Sequence, residues 1–527
     1  MHHVFGGTRS RYQSGMNLND VSDGTIPAYQ PEMIVNDELF GNPTKPSPKL
    51  NFHLVVTTSD GPDGLHTPYR RNLCKCLLSA AVLNYPPPVV VNYDRNFTQR
   101  RNVTQEGKSR NAQDIYDFLS SKEVGESDLV LIVSEETWLQ LPPDITIKRF
   151  LRANQEASAR LQDEYGKLGK GNSTSKYVQN VIFGATKVCA YRGECDPWTT
   201  ELDLPQSPLA SDIYGEKTDF DVYSQSTDPI DYSFNRPRFL AASTVMGKAS
   251  DLLTIYDTAM KMPHYLPWPE YDTQAPLAYL YMYQEILRQY CDTDCFRPHG
   301  MGVDYYSSLF QMMDEAENDI RFLKFNQSII VASPSKIEKD SFKDPITLPS
   351  DLDNFKQGPF ALHSPKLHNA LRNIEKNGEL PALEDLSWSE IPLATNIIVP
   401  GTGVPSMLNF HRLAREERSH HPPERLLDKW WSQMWFHEHA KALMEKYTST
   451  SGDAWAAGEA ERGGREWWNM RGGKGGVWTG RGAWFSWEEW LCFDFAFMDT
   501  VPYAGDDMLE RERKMLFERC GYSVFLG

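Results

Sequence analysis

Between residues 49 and 189 the chain alternates continuous apolar runs with longer segments of helical spacing. KLNFHLVVTTSD (49–60), PPPVVVNY (86–93), DLVLIVSEETWLQLPP (128–143) and YVQNVIFGATKVC (177–189) read as strands, because β-branched and large apolar residues follow one another with little polar interruption. YRRNLCKCLLSAAVLNY (69–85), NAQDIYDFLSS (111–121) and IKRFLRANQEASARLQDEYGKL (147–168) space their apolar positions three and four apart and lack a breaker, so they read as helices. A strand that is apolar at every position is buried on both faces. Its alternation with helices predicts an α/β fold: a mostly parallel sheet with helices on both faces. Ligands of such sheets sit beyond the carboxyl ends of the strands. Two of those ends are polar here: Thr57, Thr58 and Ser59 after the first run, and Ser134, Glu135 and Glu136 within the third.

Downstream, RPRFLAASTVMGKASDLLTIYDTAM (236–260) is followed by a long helix in DTQAPLAYLYMYQEILRQY (272–290). GVDYYSSLFQMMD (302–314) and DIRFLKFNQSIIVAS (319–333) read as closing strands. Residues 334–395 are rich in Pro, Lys and Asp and predict a surface-wrapping insertion; apolar character returns in ATNIIVPGTGVPSMLNFHR (394–412). Residues 1–48 are polar and without periodicity, which predicts a disordered or draped tail. Residues 416–527 read as a helical, Trp-rich extension. Its Gly/Trp stretch has too few regular apolar positions for a core of its own, so it is expected to pack on 394–412 and the sheet.

Composition narrows the function. With 71 acidic against 54 basic residues the chain carries a net charge of −17. That excludes a nonspecific nucleic-acid binder and adhesion to anionic lipid. No run reaches the ~20 apolar residues that span a bilayer, so no transmembrane segment is expected. The first twenty residues hold no apolar core of a signal peptide, which as written points to the cytoplasm. Sequons at Asn96, Asn102, Asn172 and Asn326 permit a lumenal life. Eight Cys in a chain of 527 do not make a disulfide framework, and the spacings of Cys189 with Cys195 and Cys291 with Cys295 are not those of a zinc knuckle. Free buried thiols are the plainer expectation, local disulfides the other.

The order of several segments resembles the GT-A glycosyltransferase domain of the procollagen lysyl hydroxylases and of similar fungal proteins. VTTSD (56–60) stands where that family has an ATS-like strand end, and LIVSEETWLQLPP (131–143) where it has a strand ending in Asp-x-x-Asp. VIFGATKVC (181–189) and RFLAASTVMG (238–247) match its next two strands. Asp272-Thr273-Gln274 matches an Asp-Asp-Gln helix start, VDYYSSLFQ (303–311) an LDY…FQ segment, and LNFHR (408–412) weakly a His-bearing one. The resemblance covers residues 49–412. It implies a Rossmann-like nucleotide-sugar domain over 49–415 that uses a UDP-sugar and a divalent metal, usually Mn2+, to glycosylate a hydroxyl acceptor, and it implies the secretory lumen.

Carried over position by position, the resemblance implies that Thr57, Thr58 and Ser59 contact the nucleotide. Glu135, Glu136, Asn409 and His411 would hold the metal, and Asp272 and Gln274 would act on the donor or acceptor. The departures are also specific. Glu replaces Asp at the strand end, Ala241 stands for an amide and Ser243 for a glycine, and Asn409 falls where the family has its metal-binding His. Joint loss of these groups predicts the alternative, a catalytically inactive pseudo-enzyme acting as a binding or scaffold protein. Glu135 and Glu136 also fit the first turn of a helix, where carboxylates favour the dipole. Asp219-Phe220-Asp221 and Asp292-Thr293-Asp294 are chance triplets in loop sequence, and His437 and His439 point to different helix faces.

Overall fold

A computed structural model describes residues 51–58, 68–92 apart from 84, 110–167, 175–187, 207–219, 232–262, 273–290, 299–326, 329–330, 345–355, 358–359, 386–399, 403–411, 426–437, 476–479 and 484–486. The 1–48 tail therefore lies outside the described residues, and so do Ser59 and Asp272. The elements are β1 (Phe52–Thr57), α1 (Pro68–Val82), β2 (Val89–Val91), α2 (Arg110–Leu119), β3 (Leu129–Ser134), β4 (Thr137–Leu139), α3 (Pro143–Tyr165), β5 (Val181–Thr186), β6 (Phe239–Lys248), α4 (Ala249–Lys261) and α5 (Gln274–Tyr290). They continue as β7 (Met301–Val303), β8 (Phe310–Met312), β9 (Ile320–Leu323), β10 (Ile329–Ile330), β11 (Pro345–Ile346), α6 (Ser350–Asp353), β12 (Leu393–Asn396), β13 (Met407–Asn409), α7 (Leu426–Trp431), β14 (Gly476–Thr479) and β15 (Trp484–Ser486).

The fold is mixed α/β around a curled, mostly parallel sheet in the order β15–β14–β2–β1–β3–β6–β5–β8–β13–β4, with β7 also on β5. β14, β2, β1 and β3 run parallel to one another, as do β7, β5, β8 and β13. β6 is antiparallel to both β3 and β5, and so joins the two parallel blocks. β4 is antiparallel to β13 and β15 to β14. All of these elements fall in one unit, Lys49–Gly527. Among the described residues no helix is long and apolar enough to cross a membrane.

The apolar runs become strands buried on both faces because successive side chains point opposite ways. Leu129, Leu131 and Val133 enter one core, with Leu73 and Leu77 of α1 and Phe150 of α3. Val130 and Ile132 enter the other, with Ile115 of α2 and Leu252 and Ile255 of α4. The α3 helix begins at Pro143, four residues before the periodicity suggests. Pro142 is extended and Pro143 takes the first helical position, where a missing N–H costs nothing. It ends at Gly166, whose φ of 75° suits glycine and whose N–H returns to Gln162 O.

Four expectations are corrected. The run 128–143 is two strands, not one. Residues 334–395 do not only wrap the surface, because Leu352, Trp388 and Ile391 are in the core. The C-terminal extension is not only helical, since β14 pairs with the edge strand β2 and buries Val477. A sheet edge offers unpaired backbone groups, and Val-Trp-Thr is a good strand former. Finally, Cys74 is disulfide-bonded rather than a free thiol, whereas Cys76 is free and buried. Cys189, Cys195, Cys291 and Cys295 lie outside the described residues.

Aromatic residues carry the extension into the main core. Trp431 meets Trp138 edge-on at 5.1 Å and Phe436 at 5.4 Å, and Trp435 Nε1 donates to Gln140 O at 3.0 Å. Trp431→Ala is expected to cost about 3–5 kcal/mol in denaturant unfolding, as for a large buried aromatic. A loss under about 1 kcal/mol would show that the extension is not part of the core.

Asp251, in the first turn of α4, shows which of two effects wins. The helix dipole favours its charge by roughly 0.3–1 kcal/mol. Burial nevertheless lifts its carboxyl from 3.8 to about 6, against a smaller lowering by Lys248. Folding therefore favours the protonated form: stability falls as pH rises from 3.8 to about 6 and stays lower above it. Asp251→Asn should raise stability at pH 7 by about 1–3 kcal/mol and leave it unchanged at pH 3.5. Equal Tm shifts at both pH values would contradict the burial argument.

Candidate functional site

β3 and β4 stand at opposite ends of a run of six strands, yet only Glu135 and Glu136 separate them in sequence. The link is fastened on both sides. Glu135 N donates to Thr57 O at 3.0 Å, continuing the β1–β3 ladder, and Phe410 N donates to Glu136 O at 3.1 Å, continuing β13–β4. The peptide between the two glutamates is thus where the curled sheet closes. Both side chains are buried, at 2% and 3% exposure, and neither begins a helix. The helix-start reading is corrected: antiparallel pairing of Thr137–Leu139 with β13 claims the residues that follow.

Asn409 of β13 ties the closure. Its Nδ2 donates to Ser134 Oγ at 3.1 Å and to Thr137 Oγ1 at 2.8 Å, one on each side of the link. Its Oδ1 accepts from His411 N at 3.2 Å and from Ser243 Oγ at 3.4 Å. The residue is fully buried, and both N–H groups and both lone pairs of the amide are used. His411 differs: its imidazole is 52% exposed, and Nδ1 lies 3.6 Å from Glu136 Oε2.

Gln274, at the start of α5, clamps a bulge in β6. The β6 partner of β5 jumps from Val245 to Ala241 between Phe183 and Gly184. Gln274 Nε2 donates to Leu240 O at 2.6 Å and Oε1 accepts from Ala242 N at 2.7 Å. Gly184 is required there, because a Cβ would run into Thr244 Oγ1 and Met312 Sδ. The bulge presents Ser243 to Asn409, so two of the residues expected at the site are joined through backbone shape.

The β1 end is quieter. Thr57 pairs with Ser134 across the ladder and its hydroxyl reaches Val133 O at 3.4 Å. Thr58 is buried, and its N–H donates to Val91 O at 3.3 Å. The structure thus brings Thr57, Thr58, Glu135, Glu136, Asn409, His411 and Gln274 to one edge of the sheet. Ser59 and Asp272 lie outside the described residues. Asp219 of the first chance triplet is held by Arg236 at 2.6 Å and is structural; Asp221, Asp292, Asp294 and His439 lie outside the described residues.

Sequence reasoning found the α1 helix but missed Lys75 on it. Lys75 is 2% exposed, with Nζ 5.3 Å from the ring centre of Trp138 and 5.8 Å from that of Trp431. Burial, and then the charges of Glu135 and Glu136, push the neighbouring Cys76 thiol far above its usual range, which makes it an inert thiol. The signal was present: a lysine inside the apolar stripe LCKCLLSAAV is out of place unless its charge is used.

No protein-family model and no curated protein matches the chain.

Removing the Asn409 amide should strand polar groups on three strands. Asn409→Ala is expected to cost roughly 2–4 kcal/mol, several unmet hydrogen bonds at about 1 kcal/mol each plus the cavity. Asn409→Asp keeps the acceptors but loses both donors and should recover only part of that. Urea unfolding of both variants measures it. A loss below about 1 kcal/mol for Asn409→Ala would mean that the closure does not depend on this amide.

Proposed function

We propose that this chain is a glycosyltransferase-like protein of the GT-A type, taking a UDP-sugar at the closing edge of the sheet and passing its hexose to a hydroxyl acceptor. One observation carries the reading: two adjacent carboxylates lie at the carboxyl end of a central parallel strand, where α/β sheets take their ligands. Around them stand Thr57 and Thr58 for the nucleotide and the half-exposed His411. Glu136 lies behind that imidazole and can hold it toward a bound acceptor.

The resemblance also implies manganese, and the residues present fit it poorly. Asn409 has no free lone pair, and among the described residues no group of three His, Cys, Asp or Glu is arranged to hold an ion. A divalent cation would have Glu135 and Glu136, with His411 nearby, and would need its other oxygens from diphosphate and water. The same facts favour a second reading, a transferase-like binding protein without turnover. In it Asn409 and Gln274 are latches of the fold and the two glutamates are the hinge of its closure.

Melting with ligands separates these. A compound that binds only the folded chain stabilises it by about 2.7 kcal/mol at a hundredfold excess over Kd. The transferase reading expects Tm to rise with UDP, further with manganese, and UDP to be released slowly from a UDP-hexose as the sugar passes to water. A rise with UDP and no release supports the second reading. No rise at millimolar UDP, with or without manganese, rules out a nucleotide-sugar site.

A further inference from the structure

Asn235 closes a single helical turn (Tyr232–Phe234) four residues before β6, its N–H donating to Tyr232 O at 3.0 Å. It is 1% exposed, yet among the described residues neither Oδ1 nor Nδ2 has a hydrogen-bond partner. A buried amide with both ends unmet is costly, and native chains satisfy such groups with protein, water or ligand. Several charged groups near it are paired, although among the described residues the Nε of buried Arg238 also has no hydrogen-bond partner. Lys187, directly after β5, pairs with Asp319 at 2.7 Å and also donates to Ser233 O. Tyr214 donates to the same Asp319 oxygen at 2.7 Å. Arg236 pairs with Asp219 at 2.6 Å. The unmet capacity of the Asn235 amide itself is neutral: one donor group beside one acceptor.

We infer that Asn235 is a ligand-binding residue at the carboxyl end of β5, taking a neutral edge that offers a donor next to an acceptor. Resting on the nucleotide-sugar reading, two parts of a UDP-hexose have that chemistry: adjacent hydroxyls of the hexose and the uracil edge. β5 and β3 run in the same direction, each antiparallel to β6, so their carboxyl ends share one edge of the sheet. Asn235 thus serves the same edge as Glu135 and Glu136. No bond forms or breaks at Asn235; it is a recognition group.

The test is calorimetric titration of the full chain with UDP and with UDP-glucose, beside its melting curve, in wild type, Asn235→Leu and Asn235→Asp. Replacing an unpaired amide with an apolar group of like size leaves Tm unchanged or higher. Binding is expected to weaken tenfold or more in Asn235→Leu, and less in Asn235→Asp, which keeps an acceptor. Loss confined to UDP-glucose assigns the amide to the hexose; equal loss with UDP assigns it to uracil. If Asn235→Leu does not fold, Asn235→Asp decides alone. Binding within twofold of wild type overturns the proposal and leaves the amide to a buried water, while the nucleotide-sugar reading stands. Failure of wild type to bind either ligand overturns both.

Discussion

The two-residue link between β3 and β4 governs the shape of the molecule. Three Cα steps reach at most ~11 Å. Five strand spacings in a flat sheet span ~24 Å. β3 and β4 are five places apart in the sheet order, so a flat sheet would tear the link. The sheet has to curl until its far strand returns beside the near one. The backbone bonds of Glu135 to β1 and of Glu136 to β13 show that it does so without a break in either ladder.

Curling has consequences for side chains near the closure. Residues that would face solvent at a flat sheet's edge are turned inward, which is why Glu135, Glu136 and Asn409 are buried. Buried polar groups must find partners. Asn409 finds four of them on β3, β4, β6 and after β13, and Gln274 secures the bulge that brings one of these into range. The cost of such burial also reaches α1, where the Cys76 thiol feels both glutamates. The groups that a transferase would use to hold a metal and the groups that close this sheet are the same ones. Here closure uses both the donors and the acceptors of the Asn409 amide.

The C-terminal extension depends on the same event. β4 places Trp138 beside Phe410, with ring centres 4.1 Å apart, and Trp431 packs on Trp138. At the other end of the sheet β14 covers the edge of β2. The extension therefore touches both ends of the curl. This agrees with its lack of an independent apolar pattern, because its aromatics are complements to surfaces made elsewhere.

Local pattern determined a good deal. β-branched runs such as Leu129–Val133 can only be strands buried on both faces, and the Leu73–Val82 stripe can only be a helix against them. The polar ends at Thr57 and Ser134 marked the end of the sheet where the curl closes, since polarity at the end of a buried strand has no local cause. What sequence could not decide was everything that depends on residues far apart. SEET looks alike as a helix start or as a link, and only the antiparallel pairing of Thr137–Leu139 with Met407–Asn409 chooses. The strands that Asn409 ties together, and the β6 bulge that Gln274 clamps, appear only when distant segments meet. Lys75 at least stood out in its apolar stripe, but Asn235 was invisible for the same reason: burial of a polar side chain is a property of what packs over it. Hydrophobic period is written in neighbouring residues, whereas the satisfaction of a buried polar group is settled only when the chain has closed on itself.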